Sequence, residues 1–212
     1  MAFALPRRKF LASVAACVLA GRAPAAERRP VITMLGDSIT AGYGLAASDA
    51  LPAQLQAALA RLGVKAVVRG AGVSGDTTAG GLARVDFSVQ GDTTLAVVEL
   101  GGNDLLQGLD PSATRANLTA IARRLKARGA RVVLCGLKAP ARLNAGWARE
   151  FDAAFPAAAR QAGAVLVPDL LAGVERDMSL NQRDGIHPNP KGVRIVASNL
   201  APVIARALKG RP

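Results

Sequence analysis

Cysteine and histidine are nearly missing from this chain of 212 residues, which holds Cys17, Cys135 and a single histidine, His187. Cys17 falls in an N-terminal leader, so the mature chain keeps one thiol, which excludes an internal disulfide framework. Nothing has the spacing of a metal-ligand set, and no metal site is expected. Cys135 follows Arg131-Val132-Val133-Leu134 and reads as a small core residue. Aromatic residues make up only 3%, so a core must come from Leu, Val and Ala, and stacking partners for nucleic-acid bases are scarce. Acidic residues are outnumbered 15 to 27, for a net charge of +12; the leader holds four of the positive charges and no acid, leaving +8 on the mature chain. Such an excess attracts nucleic acid or anionic lipid. The basic residues stand mostly singly along helical segments (Arg115, Arg123, Arg124, Arg128), unlike a clustered nucleic-acid footprint. No nucleic-acid partner is expected, and peripheral attraction to anionic lipid stays open. The sequence does not specify an oligomeric state.

What is present begins with that leader. Arg7-Arg8-Lys9 precedes an apolar run, Phe10 to Ala20, too short to cross a bilayer as a stable helix. Ala23-Pro24-Ala25 supplies an A-x-A cleavage site, so residues 1–26 read as a secretory signal peptide and the protein as periplasmic or secreted. Arg7-Arg8-Lys9-Phe10-Leu11 is similar to the twin-arginine export pattern, although Pro6 stands where a small hydroxyl residue is usual.

Residues 27–212 read as one domain in which strand-like and helix-like segments alternate. Strands are expected at Val31–Leu35, Val64–Val68, Leu95–Leu100, Arg131–Leu134 and Ala164–Val167. Helices are expected at 49–62, at 112–128 between Pro111 and Gly129, at 147–162 before Gly163, and at Pro190–Leu208, with a shorter one over Leu82–Val89. The glycine-rich stretch Gly70–Gly81 reads as a loop. Near-continuous apolar strands alternating with helices argue for an α/β protein, a parallel sheet covered on both faces. Five strands in one domain suggest a flavodoxin-like order.

Four polar stretches sit at crevice positions of this sheet, three of them following strands, where a parallel sheet leaves its ligand crevice. Gly36-Asp37-Ser38-Ile39-Thr40 follows the first strand; Ser38 there is either a nucleophile or a helix cap. Gly72-Val73-Ser74-Gly75-Asp76-Thr77 follows the second and offers a Gly75 backbone N–H, or is a turn in which Asp76 or Thr77 caps the next helix. Gly101-Gly102-Asn103-Asp104 follows the third, and an asparagine amide there is suited to an oxyanion, or to an ordinary turn. Asp184-Gly185-Ile186-His187-Pro188 sets a carboxylate three residues before the one histidine, the side chain whose ordinary titration lies nearest neutrality. Each stretch alone has a bland reading. Together they complete an inventory for acyl transfer: nucleophile, base, base-orienting carboxylate and oxyanion donors.

These four stretches, in this order and over essentially the whole mature chain, resemble the signature blocks of the SGNH (GDSL) hydrolases. Val98-Glu99-Leu100-Gly101-Gly102-Asn103-Asp104 and Ser74-Gly75-Asp76-Thr77 with Gly81-Leu82-Ala83-Arg84 are similar to the periplasmic branch of acyl-CoA thioesterase I, arylesterase and lysophospholipase. The resemblance implies a three-layer α/β/α fold with a five-stranded parallel sheet and no metal or cofactor. It implies Ser38 as nucleophile, His187 as general base and then acid, and Asp184 as its orienting partner. The oxyanion hole would be the backbone N–H groups of Ser38 and Gly75 with the Asn103 amide. It also implies that Leu105-Leu106-Gln107-Gly108-Leu109 contacts the acyl chain; this segment is largely apolar, which favours small-molecule esters or thioesters with hydrophobic acyl groups over acetylated sugars. One departure is Gly70, where the branch commonly has asparagine.

Overall fold

The computed structural model describes Met1 and residues 29–210; the expected signal peptide lies outside the described residues. Five strands form: β1 (Val31–Gly36), β2 (Val67–Gly72), β3 (Leu95–Glu99), β4 (Arg131–Cys135) and β5 (Val165–Val167). They make one sheet in the order β2-β1-β3-β4-β5, with every pair parallel. The expected three-layer α/β/α architecture is therefore the observed one. β3 is apolar and buried along its whole length apart from the chemistry of its last residue, Glu99, as a strand covered on both faces should be.

Four helices sit close to where helical spacing puts them: α2 (Leu51–Arg61), α5 (Pro111–Ala127), α6 (Ala145–Ala162) and α7 (Pro190–Leu208), numbered in chain order with α1, α3 and α4. α2 turns Leu51, Leu55, Ala58 and Leu59 inward. α5 starts with Pro111 behind the Asp110 cap, and α6 ends at Gly163 in a left-handed conformation. α2 packs with α7, while α5 packs with α6 and with α3 (Thr78–Ser88). Cys135 is buried, as its sequence context predicts, and burial pushes its thiol pKa up.

Two boundaries differ from the sequence reading. β2 begins three residues later than expected and runs through glycines taken for a loop. It is an edge strand, half-exposed, so its side chains need not be apolar: Arg69 reaches Asp92 at 2.7 Å. The glycines serve close approach instead. A Cβ on Gly72 would stand 2.7 Å from the Asp37 carbonyl oxygen. Helix α3 likewise starts at Thr78 and not at Leu82, capped by the Thr77 hydroxyl, which accepts from the Gly80 N–H at 3.2 Å. At Gly70 a side chain would meet Pro52 of α2, with a Cβ 3.0 Å from its Cγ.

The register brings the strand ends level, with Gly36 paired to Gly72 on one side and to Glu99 on the other. The chain passes from β1 outward to β2 and returns to β3 across β1. The crevice of an open α/β sheet lies at such a switch point, here between the ends of β1 and β3.

Candidate active site

At the end of β1 the chain turns directly into a four-residue helix, α1 (Ser38–Ala41). Its cap is Asp37, whose Oδ1 accepts from the Ile39 N–H at 3.0 Å. The capping role weighed for Ser38 thus falls to its neighbour, and the Ser38 hydroxyl is left free for another partner. That partner is His187: Ser38 Oγ lies 2.8 Å from Nε2, across 149 positions of sequence. The other ring nitrogen, Nδ1, is 2.6 Å from Asp184 Oδ2.

The Asp184–His187 turn is built locally. Asp184 Oδ1 accepts from the N–H groups of Ile186 (2.9 Å) and His187 (3.0 Å), and Gly185 between them takes φ +68°. Beyond it Asn189 caps α7, accepting from Lys191 and Gly192, and its amide returns to the carbonyls of Ser179 and Asn181. Gln182 ties this loop to the Ser38 loop through the Tyr43 carbonyl at 2.8 Å. Burial works to raise the Asp184 pKa, but the hydrogen bonds from His187 and Ile186 outweigh it and hold the carboxyl down at about 2. Its folded value is depressed, so its stabilising contribution is present above its ordinary 3.8 and is lost as pH falls toward 2. The wild-type advantage over Asp184→Asn in urea midpoint is therefore expected to shrink between pH 5 and about 2.5; an advantage that did not change across that range would contradict the depressed value.

A pocket of about 200 Å³ opens beside Ser38, lined among others by Tyr43, Gly75, Asn103, Ile186 and His187. Ser38 and Gly75 line it as well, and among the described residues the N–H of neither donates to another protein group. Gly75 sits at φ +84°. Asn103 lies on another short helix, α4 (Gly102–Leu106), where the sequence reading has a loop. Its Nδ2 donates to the Asp76 carbonyl at 2.9 Å and reaches Asp37 Oδ2 only at 3.4 Å, so one amide hydrogen is anchored and the other is weakly held.

Of the segment 105–109, Leu105 and Leu106 line a second, larger groove of about 480 Å³, together with Leu137, Leu171 and others. This groove shares Ile39, Gly102, Leu106 and Ile186 with the Ser38 pocket and so adjoins it. Gln107, Gly108 and Leu109 line neither; the Leu109 carbonyl accepts from the Trp147 indole at 3.2 Å. The groove draws most of its walls from the Leu137–Arg142 and Leu171–Arg176 stretches, which carry no motif.

Other supports were not legible as such. Arg84 donates to Gly36 O (2.8 Å), Ala71 O (2.8 Å) and Asp76 Oδ2 (2.7 Å), clamping the ends of β1 and β2 to the Gly75 loop. Asp104, buried, accepts from the Thr78 N–H (2.8 Å) and from the Thr78 and Thr114 hydroxyls, joining α4 to α3 and α5. A charged side chain inside an otherwise apolar stretch is the one signal that marks Glu99.

The profile of the GDSL-like lipase/acylhydrolase family matches residues 34–195. Among curated proteins, an esterase TesA of Pseudomonas aeruginosa is 38% identical over 183 residues, covering 86% of this chain and 90% of the relative. The thioesterase 1/protease 1/lysophospholipase L1 of Escherichia coli K12 is 35% identical, over 87% of this chain and 86% of its own. Among solved structures, AlinE4, an SGNH-hydrolase family esterase, superposes with TM-score 0.72 at 43% identity, covering 87% of this chain and 99% of that one. The fold and the crevice are those of the SGNH-type esterases, and the protein is a hydrolase of ester and thioester bonds. The chain belongs to the GDSL-like lipase/acylhydrolase family.

Proposed function

We propose that this protein is an exported serine esterase and thioesterase that works through an acyl-enzyme. The observation that carries the reading is the unbroken line from Ser38 Oγ through the His187 ring to Asp184, at 2.8 and 2.6 Å. Asp184 accepts from Nδ1–H and so leaves Nε2 as the acceptor facing Ser38. As Oγ attacks the substrate carbonyl, its proton passes to Nε2, and the imidazolium is stabilised by the carboxylate at its back. The carbonyl oxygen, now an oxyanion, is met by the N–H groups of Ser38 and Gly75 and by the weakly held hydrogen of the Asn103 amide. When the tetrahedral intermediate collapses, Nε2–H protonates the departing alcohol or thiol. Water then attacks the acyl carbon as Nε2 takes its proton; collapse breaks the bond to Ser38 Oγ, which recovers the proton from His187, and the acid leaves.

The apolar groove beside the pocket supports a hydrophobic acyl group on the substrate. Leu105, Leu106 and Leu137 would hold the chain, in keeping with the thioesterase, arylesterase and lysophospholipase activities of the branch that the motifs resemble. The mature protein is read as the single domain 27–212, delivered to the periplasm or outside by the residue 1–26 leader, with its positive charge available to anionic lipid. Hydrolysis of p-nitrophenyl esters from acetate to palmitate tests the substrate class. Turnover is expected to peak at medium chains; a peak at acetate would replace this reading with that of a carbohydrate acetylesterase.

A further inference from the structure

Glu99, the last residue of β3, is 1% exposed. Its Oε2 accepts from the Asp37 N–H at 3.3 Å, the Thr40 N–H at 3.2 Å and the Thr40 hydroxyl at 2.8 Å. Its Oε1 is buried and meets no donor among the described residues. A carboxylate would therefore leave an anionic oxygen unpaired in the core, a position that buried charges avoid by taking up a proton. Asp37, whose N–H donates to Oε2, also carries the neighbouring carboxyl, and two adjacent carboxylates repel until one is protonated. Asp37 has the Ile39 N–H at 3.0 Å and the long Asn103 contact to stabilise a charge. The free Glu99 oxygen has nothing to accept from and is the natural bearer of the proton.

We propose that Glu99 is a positioning residue of the hydrolytic site: a neutral acid whose Oε1–H donates to Asp37 while its Oε2 ties down the turn that carries Ser38. This rests on the reading of Ser38 as nucleophile and of its N–H as an oxyanion donor. The three donors gathered by Oε2 flank Ser38, one from the residue before it and two from the second residue after it. Glu99 thus fixes the direction of the Ser38 N–H and Oγ without touching substrate. Its proton also leaves one negative charge behind the oxyanion hole where two carboxylates would place two. The glycine that opens Gly36-Asp37-Ser38 makes room for the Thr40–Glu99 pair, because a Cβ there would collide with the Thr40 hydroxyl and stand 2.6 Å from Glu99 Oε2. Burial, followed by the Asp37 charge, pushes the Glu99 pKa well above the ordinary carboxylate range, and burial carries Asp37 up to about 6.

The test compares wild type, Glu99→Gln, Glu99→Leu and Ser38→Ala in p-nitrophenyl ester hydrolysis and in urea unfolding from pH 5 to 8. Glutamine supplies an N–H for the Asp37 carboxylate to accept and an oxygen for the three donors, so its kcat is expected within about threefold of wild type. Leucine keeps the volume but frees the turn, and its kcat should fall on the order of 10²-fold with KM little changed. Unfolded Glu99 ionises above its ordinary 4.5 while the folded residue keeps its proton, so wild type should lose stability relative to Glu99→Gln as pH rises. Asp37, with His187 and Asp76 acting on it, and Cys135 of β4, which also faces Glu99, are common to both proteins. A glutamine variant as impaired as the leucine one, a folded leucine variant of full kcat, or parallel stability curves would each overturn the proposal. Should the leucine variant fail to fold, glutamine kinetics and the two stability curves decide it. A Ser38→Ala enzyme that keeps its turnover would sink the nucleophile reading and this inference with it. An inactive Ser38→Ala beside equally impaired glutamine and leucine variants would sink this inference alone.

Discussion

Ser38→Ala is expected to lower kcat on p-nitrophenyl esters by about 10⁵-fold or more, with KM changed far less. The argument is geometric. Ser38 is the side chain at the mouth of the switch-point crevice whose oxygen lies within hydrogen-bond reach of His187 Nε2. Its neighbour Asp37 has already taken the capping duty, so alanine should cost the helix start little and the reaction nearly everything. His187→Ala should be comparably inactive, and the double variant no worse than either alone, because nucleophile and base act as one unit. Serine-directed fluorophosphonate labelling, present in wild type and absent from Ser38→Ala, reads the same prediction without turnover. An alanine variant that kept a tenth of wild-type kcat would remove Ser38 from the chemistry.

Asn103→Ala is expected to lower kcat by roughly 10²–10³-fold, the cost of losing one oxyanion donor. Its amide is held at the Asp76 carbonyl at 2.9 Å, so the group is oriented before substrate arrives. The second hydrogen faces Asp37 at 3.4 Å, a distance that costs little to give up when a charged oxygen appears nearby. The loss should fall on kcat and not on KM, since the bond strengthens only as the carbonyl oxygen gains charge. Alanine also releases the Asp76 carbonyl, so urea unfolding of the same variant separates a loosened Gly75 loop from a missing donor. Full activity in the alanine variant would leave the oxyanion to the two backbone groups alone.

Most strands and the long helices are legible in the chain because they are local facts. Leu51, Leu55, Ala58 and Leu59 repeat at helical spacing, Pro111 and Gly163 mark ends, and Leu95–Val98 is continuous apolar strand. β2 is misread for the opposite reason. An edge strand needs no apolar pattern, and Gly70 and Gly72 are there for close approach to neighbours that a local reading does not contain. The short helices α1 and α4 escape as well, since a turn or so of helix has no periodicity to detect.

The sequence by itself determined the class of sheet, the four polar stretches and the turn that folds Asp184 back onto His187. Each depends on residues within a few positions of one another, where backbone sterics and turn chemistry suffice. Only the tertiary structure decided what those stretches meet. It put Ser38 against a histidine 149 positions away, gave the cap to Asp37, and built the groove beside the Ser38 pocket with Leu137 and Leu171, which no motif marks. It also placed the end of β3 beside the end of β1, so that Glu99 meets the Ser38 turn. The physical reason is strand order: hydrogen bonding between β1 and β3 is fixed by the packing of the whole sheet, and no segment carries that information alone.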